Sequence, residues 1–103
     1  KIDAPSGTAK LLYDVIEEDI QEVKPVYDRS EVHQKREKQE IGIQSVRAGT
    51  IFGEHTVLFA GHDEVIELNH MALSKEVFVQ GALSACLAMQ DKDNGLYTLK
   101  NLY

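Results

Sequence analysis

Ser6, Gly7 and Thr8, with Lys1 and Pro5 ahead of them, are residues whose types and spacing could do chemistry. The apolar spacing that follows them marks a helix. A helix N-terminus presents unpaired backbone N–H groups and the positive end of the helix dipole, which suit a carboxylate or a phosphate. Gly7 lets the backbone come close to a ligand, Ser6 and Thr8 add hydroxyl donors, and Lys1 adds a full charge. Three readings stand side by side: an anion-binding turn for a small carboxylated metabolite, an ordinary capped helix start, and a phosphate loop. The third lacks the Gly-x-x-x-x-Gly-Lys-Ser/Thr spacing and follows no strand.

The other reactive residue types read as structural. The four histidines, His33, His55, His62 and His70, make no metal-ligand spacing with Cys, Asp or Glu. His55 in "GEHTVLF" and His70 in "ELNHMAL" read as packed or interface histidines. Cys86 is the single cysteine, so it forms no internal disulfide, and in "GALSACLAM" it reads as a small core residue. Arg47 in "VRAG" pairs with an acid either across the sheet or across a subunit interface, and the sequence leaves both open.

The elements that must position these residues fit one domain of 103 residues, 43% hydrophobic and 27% charged. A net charge of -6 argues against a nucleic-acid surface, which needs a basic field. The basic run "HQKREKQE" contains two glutamates and reads as a solvated loop or strand end. No stretch is apolar for long enough to span a bilayer and no signal-peptide pattern opens the chain, so neither a membrane nor a nucleic acid is an expected partner and the cytoplasm is the expected compartment.

Leu11, Leu12, Val15, Ile16 and Ile20 predict a helix over residues 8–20. Pro25 among β-formers predicts an edge strand. "EIGIQSVRAG", "HTVLFAG" and "DEVIELNHMAL" predict three antiparallel strands, the last two joined by a hairpin turn at "AGHDE". Because "TVLFA" is apolar on both faces, its outer face needs a cover, and a second subunit is the economical candidate. A second helix is expected over "SKEVFVQGALSACLAMQ", then a turn at Asn94 and Gly95 and a short apolar tail. The fold class expected is α+β: a mixed, largely antiparallel sheet with flanking helices, the sheet serving as an oligomerisation surface.

"KIDAPSGTA" resembles the signature of the dihydrodipicolinate reductase family, enzymes of lysine biosynthesis in which a His-His pair stands a few residues ahead of such a run. "IGIQSVRAGTIFGEHTVLFAG", "EVIELNHMALSKEVFVQGAL" and "GLYTLKNLY" look like the family's later segments in the same order. The resemblance implies that Lys1 is the active-site lysine and that Ser6, Gly7 and Thr8 hold a carboxylate of a small cyclic dicarboxylate substrate. It implies hydride delivery by NADH or NADPH, a proton from a histidine of the pair, and a homotetramer closed through the sheets. It implies also that residues 1–75 form a substrate-binding and tetramerisation domain, while residues 76–103 are a helix and tail that return to a dinucleotide-binding domain.

The chain departs from the family's pattern in three places. No Gly-x-Gly-x-x-Gly occurs in it, no His-His pair precedes Lys1, and Lys75 stands where the family often has arginine. The expectation is therefore a C-terminal part that begins just after the catalytic histidines, binds no cofactor and is inactive alone. In such a part Phe78, Ala82 and Leu83 are expected to pack on the chain's own sheet or on a neighbouring chain. The alternative is a non-catalytic oligomerisation domain that keeps the fold and not the chemistry.

Overall fold

Seven short elements make up the computed structural model, which describes residues 3–103. They are α1 (Gly7–Asp19), β1 (Lys24–Val26), β2 (Glu40–Gly42), β3 (Gly53–Ala60), β4 (Val65–Ala72), α2 (Glu76–Ala88) and α3 (Leu99–Leu102). The chain is α+β, and it divides into two units, the first ending at Ile51 and the second spanning Phe52–Tyr103.

In the first unit α1 starts where the sequence places it, because Ser6 is built to cap it. The Ser6 backbone is extended, its Oγ accepts from the Ala9 N–H at 3.2 Å, and its carbonyl accepts from Lys10 N–H at 3.1 Å. The helix ends at Ile20, whose N–H donates to the Ile16 carbonyl at 2.8 Å, and Glu22 turns the chain with φ 64°. The Tyr13 hydroxyl, within reach of the Val23 carbonyl at 3.3 Å, ties the helix to the start of β1.

β1 and β2 pair in parallel, with Lys24 opposite Glu40, Pro25 opposite Ile41 and Val26 opposite Gly42. Lys24 N–H donates to the Gln39 carbonyl and the Val26 carbonyl accepts from Ile43 N–H, both at 2.8 Å. The ladder thus uses Lys24 and Val26 and leaves Pro25, which has no N–H to give, on the outer side. The connection between the strands is stitched by Arg29, which pairs with the Glu40 carboxylate and donates to the Gln34 carbonyl at 2.7 Å.

This pairing corrects the expected three-stranded antiparallel sheet. The described strands form two two-stranded sheets, and β2 belongs with β1 rather than with β3. The reason lies in where the segment after β2 directs its polar groups. Ile43 N–H, the Gln44 side chain and the Arg47 guanidinium all bond within the first unit, and Gly49, at φ 47°, then turns the chain.

In the second unit β3 and β4 form the expected hairpin, with His55 opposite His70, Val57 opposite Leu68 and Phe59 opposite Ile66. The turn closes with Gly61 N–H donating to the Glu64 carbonyl at 2.9 Å, and Asp63 takes φ 59°, a region that aspartate tolerates. Alternation along the strands gives two unlike faces. One carries His55, Val57 and Phe59 beside His70, Leu68 and Ile66; the other carries Glu54, Thr56 and Leu58 beside Met71, Asn69 and Glu67. On the second face Asn69 Nδ2 donates to Thr56 Oγ1 at 2.6 Å.

α2 packs on α3, a one-turn helix where the sequence suggested only an apolar tail. α3 forms because Thr98 and Asn101 make a capping box, the Asn101 side chain accepting from Thr98 N–H at 2.7 Å. Ala72 and Leu102 are the buried apolar residues among those described. Two further expectations are corrected here. Cys86 is exposed rather than in a core, and Phe78, Ala82 and Leu83 are exposed, so of the two covers expected for them the chain's own sheet is not the one used. Val77, Phe78, Val79, Leu83, Leu87 and Met89 lie all around α2, and the one-turn helix beside it covers little of that circumference.

Candidate functional site

The residues that the sequence singles out meet at the start of α1. Ser6 is half-buried at the N-cap, and Gly7 and Thr8 follow it, both exposed. The amides of Gly7 and Thr8 precede the first intrahelical bond, and the first turn of α1 contains no acidic residue that would answer the helix dipole from within. A Cβ added at Gly7 would meet nothing within 4 Å, so the glycine is not imposed by packing and leaves the approach to these amides open. Lys1, the fourth residue of the expected set, lies outside the described residues.

The segment leading into the cap is held by Arg47. Its Nε donates to the Asp3 carbonyl at 2.9 Å, its Nη2 donates to the same oxygen, and Nη2 stands 3.6 Å from the Asp3 carboxylate. Neither partner that the sequence suggested for Arg47 is the one found: the acid is in the same unit, and it lies in the loop before α1 rather than on a strand.

Beside this loop is an open groove of about 240 Å³, whose lining includes Ala4, Pro5, Tyr27, Asp28, Ile43 and Gln44. It lies just past the ends of β1 and β2, where the residues that follow both strands meet the segment that enters α1. The sequence reading missed Asp28. Its carboxylate accepts from Ser30 N–H at 2.8 Å and from the Ser30 hydroxyl at 3.0 Å, and these bonds hold it below the usual carboxylate range, the backbone bond contributing most. The Asp-x-Ser spacing in "YDRS" was the available signal, since such a pair forms a local side-chain turn. Ser30→Ala removes one of the two bonds and is expected to raise the Asp28 pKa toward the ordinary value. A pH titration of the Asp28 carboxyl carbon by NMR checks this, and an unchanged midpoint would contradict it.

Among the remaining candidates, neither His55, half-buried, nor His70, exposed, is packed in a core. His55 and His70 face one another across the hairpin, and His62 stands 3.2 Å from Asp63 at its exposed tip. Lys75 is the N-cap of α2 and makes no side-chain capping bond. Among the described residues no group of three or more His, Cys, Asp or Glu could hold a metal ion, and no helix is long and apolar enough to cross a membrane.

Comparison with known proteins agrees with the resemblance read from the opening motif. Residues 1–103 match the family described as "Dihydrodipicolinate reductase, C-terminus". The chain is 58% identical over 103 residues to a 4-hydroxy-tetrahydrodipicolinate reductase of Exiguobacterium sibiricum, covering 100% of this chain and 41% of that protein. It is 55% identical over 102 residues to the enzyme of the same name from Staphylococcus aureus, covering 99% of this chain and 42% of that protein. The chain thus spans about two fifths of the length of the curated relatives it matches. A match that runs the whole length of the chain, at this identity, shows that it belongs to the dihydrodipicolinate reductase family through that family's C-terminal domain.

Proposed function

We propose that this chain is the substrate-binding and oligomerisation part of a 4-hydroxy-tetrahydrodipicolinate reductase, an NAD(P)H-dependent enzyme of diaminopimelate and lysine biosynthesis acting in the cytoplasm. Ser6, Gly7 and Thr8 take one carboxylate of the small cyclic dicarboxylate substrate, and Lys1 supplies positive charge to the negative charge that develops on reduction. The observation that supports this reading is the start of α1: two amides ahead of the first intrahelical bond, an unobstructed Gly7 and a first turn without a carboxylate of its own.

The described residues do not fit the nicotinamide cofactor. Its phosphates need a glycine-rich turn between a strand and a helix, and the one parallel pair here joins three-residue strands through residues 27–39, which contain neither a glycine nor a helix. No chemical step is therefore routed through that group by this chain. What the chain does is bind and orient a carboxylate, and present sheet surface for assembly into a homotetramer.

The test is an amide-shift titration with pyridine-2,6-dicarboxylate, a planar mimic of the substrate. A charge-assisted hydrogen bond contributes roughly 1.5–3 kcal/mol before the cost of association, so two or three of them give binding on the order of millimolar. Shifts should centre on Gly7 and Thr8 and disappear in Thr8→Val and Gly7→Ala. Gly7→Ala carries its own control, because alanine fits the space and is the better helix former: its melting temperature should rise, by the equivalent of about 0.5–1 kcal/mol, while binding is lost. Saturating shifts elsewhere, or none at high millimolar ligand, would return these residues to the plain role of a helix cap.

A further inference from the structure

We infer that Arg47 is a positioning residue for the carboxylate site, acting through the loop in front of α1 and not on the substrate. The inference rests on the assignment of Ser6, Gly7 and Thr8 to the substrate carboxylate. Asp3 is three residues ahead of the N-cap and 44 residues from Arg47 in sequence, so this contact closes a long loop of chain within the first unit. Residues 3–5 belong to no helix or strand, and among the described residues Arg47 is the side chain that hydrogen-bonds them.

The geometry explains why the residue is arginine. Two N–H groups of one planar guanidinium converge on the Asp3 carbonyl while Nη2 also faces the Asp3 carboxylate at 3.6 Å. A fork of this kind fixes the direction of the peptide as well as its distance, whereas a lysine ammonium is a point charge on a flexible stem. The peptide so fixed leads through Ala4 and Pro5, which line the groove, into Ser6. With its Nε and Nη2 engaged on Asp3, the guanidinium orders the approach to the Gly7 and Thr8 amides instead of offering its fork to a ligand. A binding site held in its productive geometry spends less of its interaction energy on ordering.

The experiment compares the native chain with Arg47→Met, Arg47→Lys and Asp3→Asn. Amide hydrogen exchange is followed at Ala4, Ser6, Gly7 and Thr8, and affinity for pyridine-2,6-dicarboxylate by amide shifts. Arg47→Met should accelerate exchange at these positions and weaken the ligand by about tenfold, the change expected when one charge-assisted anchor is lost. Arg47→Lys should restore part of both effects. Asp3→Asn, which keeps the carbonyl and loses only the exposed ion pair, should cost at most about twofold. Exchange through β3 and β4 should be unaltered in all three, which separates loss of the loop from loss of the fold.

Weaker binding with unchanged exchange at residues 4–8 would overturn the inference in favour of direct contact with the ligand. Faster exchange there with unchanged affinity would overturn it too, since the loop would then not matter to the site. Acceleration spread through α1, β1 and β2 in Arg47→Met, with no recovery in Arg47→Lys, would mark a purely structural residue. If the native chain does not bind the dicarboxylate at all, the assignment of Ser6, Gly7 and Thr8 fails and the positioning role fails with it, whatever the exchange shows.

Discussion

Supplied with NADH or NADPH and the cyclic dicarboxylate substrate, these 103 residues by themselves are expected to oxidise no nicotinamide above the buffer rate. Hydride transfer needs the reduced ring held about 3–3.5 Å from the carbon it attacks, and that placement accounts for several orders of magnitude in rate. Nothing in the described fold offers the strand, glycine turn and helix that would hold the dinucleotide phosphates. General-acid help is worth roughly 10²–10⁴-fold, and none of the four histidines is close in sequence to Ser6, Gly7 and Thr8. What remains, the proposed anion site of millimolar class, would lower the energy of bound substrate and transition state alike and so would not accelerate the reaction. The check is nicotinamide absorbance against protein concentration, in a preparation shown by intact mass to contain only this chain. A rate that scales with the protein would overturn the expectation, and with it the view that the chemistry needs groups beyond these residues.

The difference between what the sequence showed and what it hid follows the range of the interactions. α1 was legible to within a residue at each end, because its apolar spacing and its Ser6 cap are local and the structure uses both. The hairpin was legible for the same reason: alternation along β3 and β4 and a four-residue turn determine the register with no help from elsewhere. The pairing of β2 was not, since three residues of strand carry no signature of a parallel or an antiparallel neighbour, and the outcome goes with where Ile43, Gln44 and Arg47 find their partners, Asp3 being 44 residues from Arg47. Cys86 was misread, and the chain's own sheet was wrongly offered as a cover for Phe78, Ala82 and Leu83, because apolar composition indicates what a helix would bury, not which neighbour buries it. At the site, the capping chemistry of Ser6 was readable from residue types, whereas the Asp3 anchor required coordinates.

Replacing Leu68 with aspartate is expected to break the assembly, while the same replacement at Leu58 is expected to leave it standing. The two leucines are exposed to the same degree, 60% and 61%, yet they lie on opposite faces of the hairpin. Leu58 is opposite Glu67 on a face that already carries Glu54, Thr56 and Asn69, so a further carboxylate there meets water and polar neighbours. Leu68 is opposite Val57 and next along the face to the Phe59–Ile66 pair, and its face carries no side chain of fixed charge. In a chain of net charge -6, such a face is where two copies can meet without like-charge repulsion, and its apolar residues need the cover that a partner gives. An uncompensated charge buried in such a contact costs about 3–5 kcal/mol, and at 1.4 kcal/mol per factor of ten this weakens association by at least about a hundredfold. Sedimentation or light scattering at micromolar concentration reads the result, with circular dichroism confirming that both variants keep the hairpin. A native chain that is monomeric would remove the proposed assembly. An oligomer that survives Leu68→Asp and dissociates in Leu58→Asp would transfer the contact to the polar face, where the row of Glu54, Thr56 and Asn69 would then have to supply the recognition.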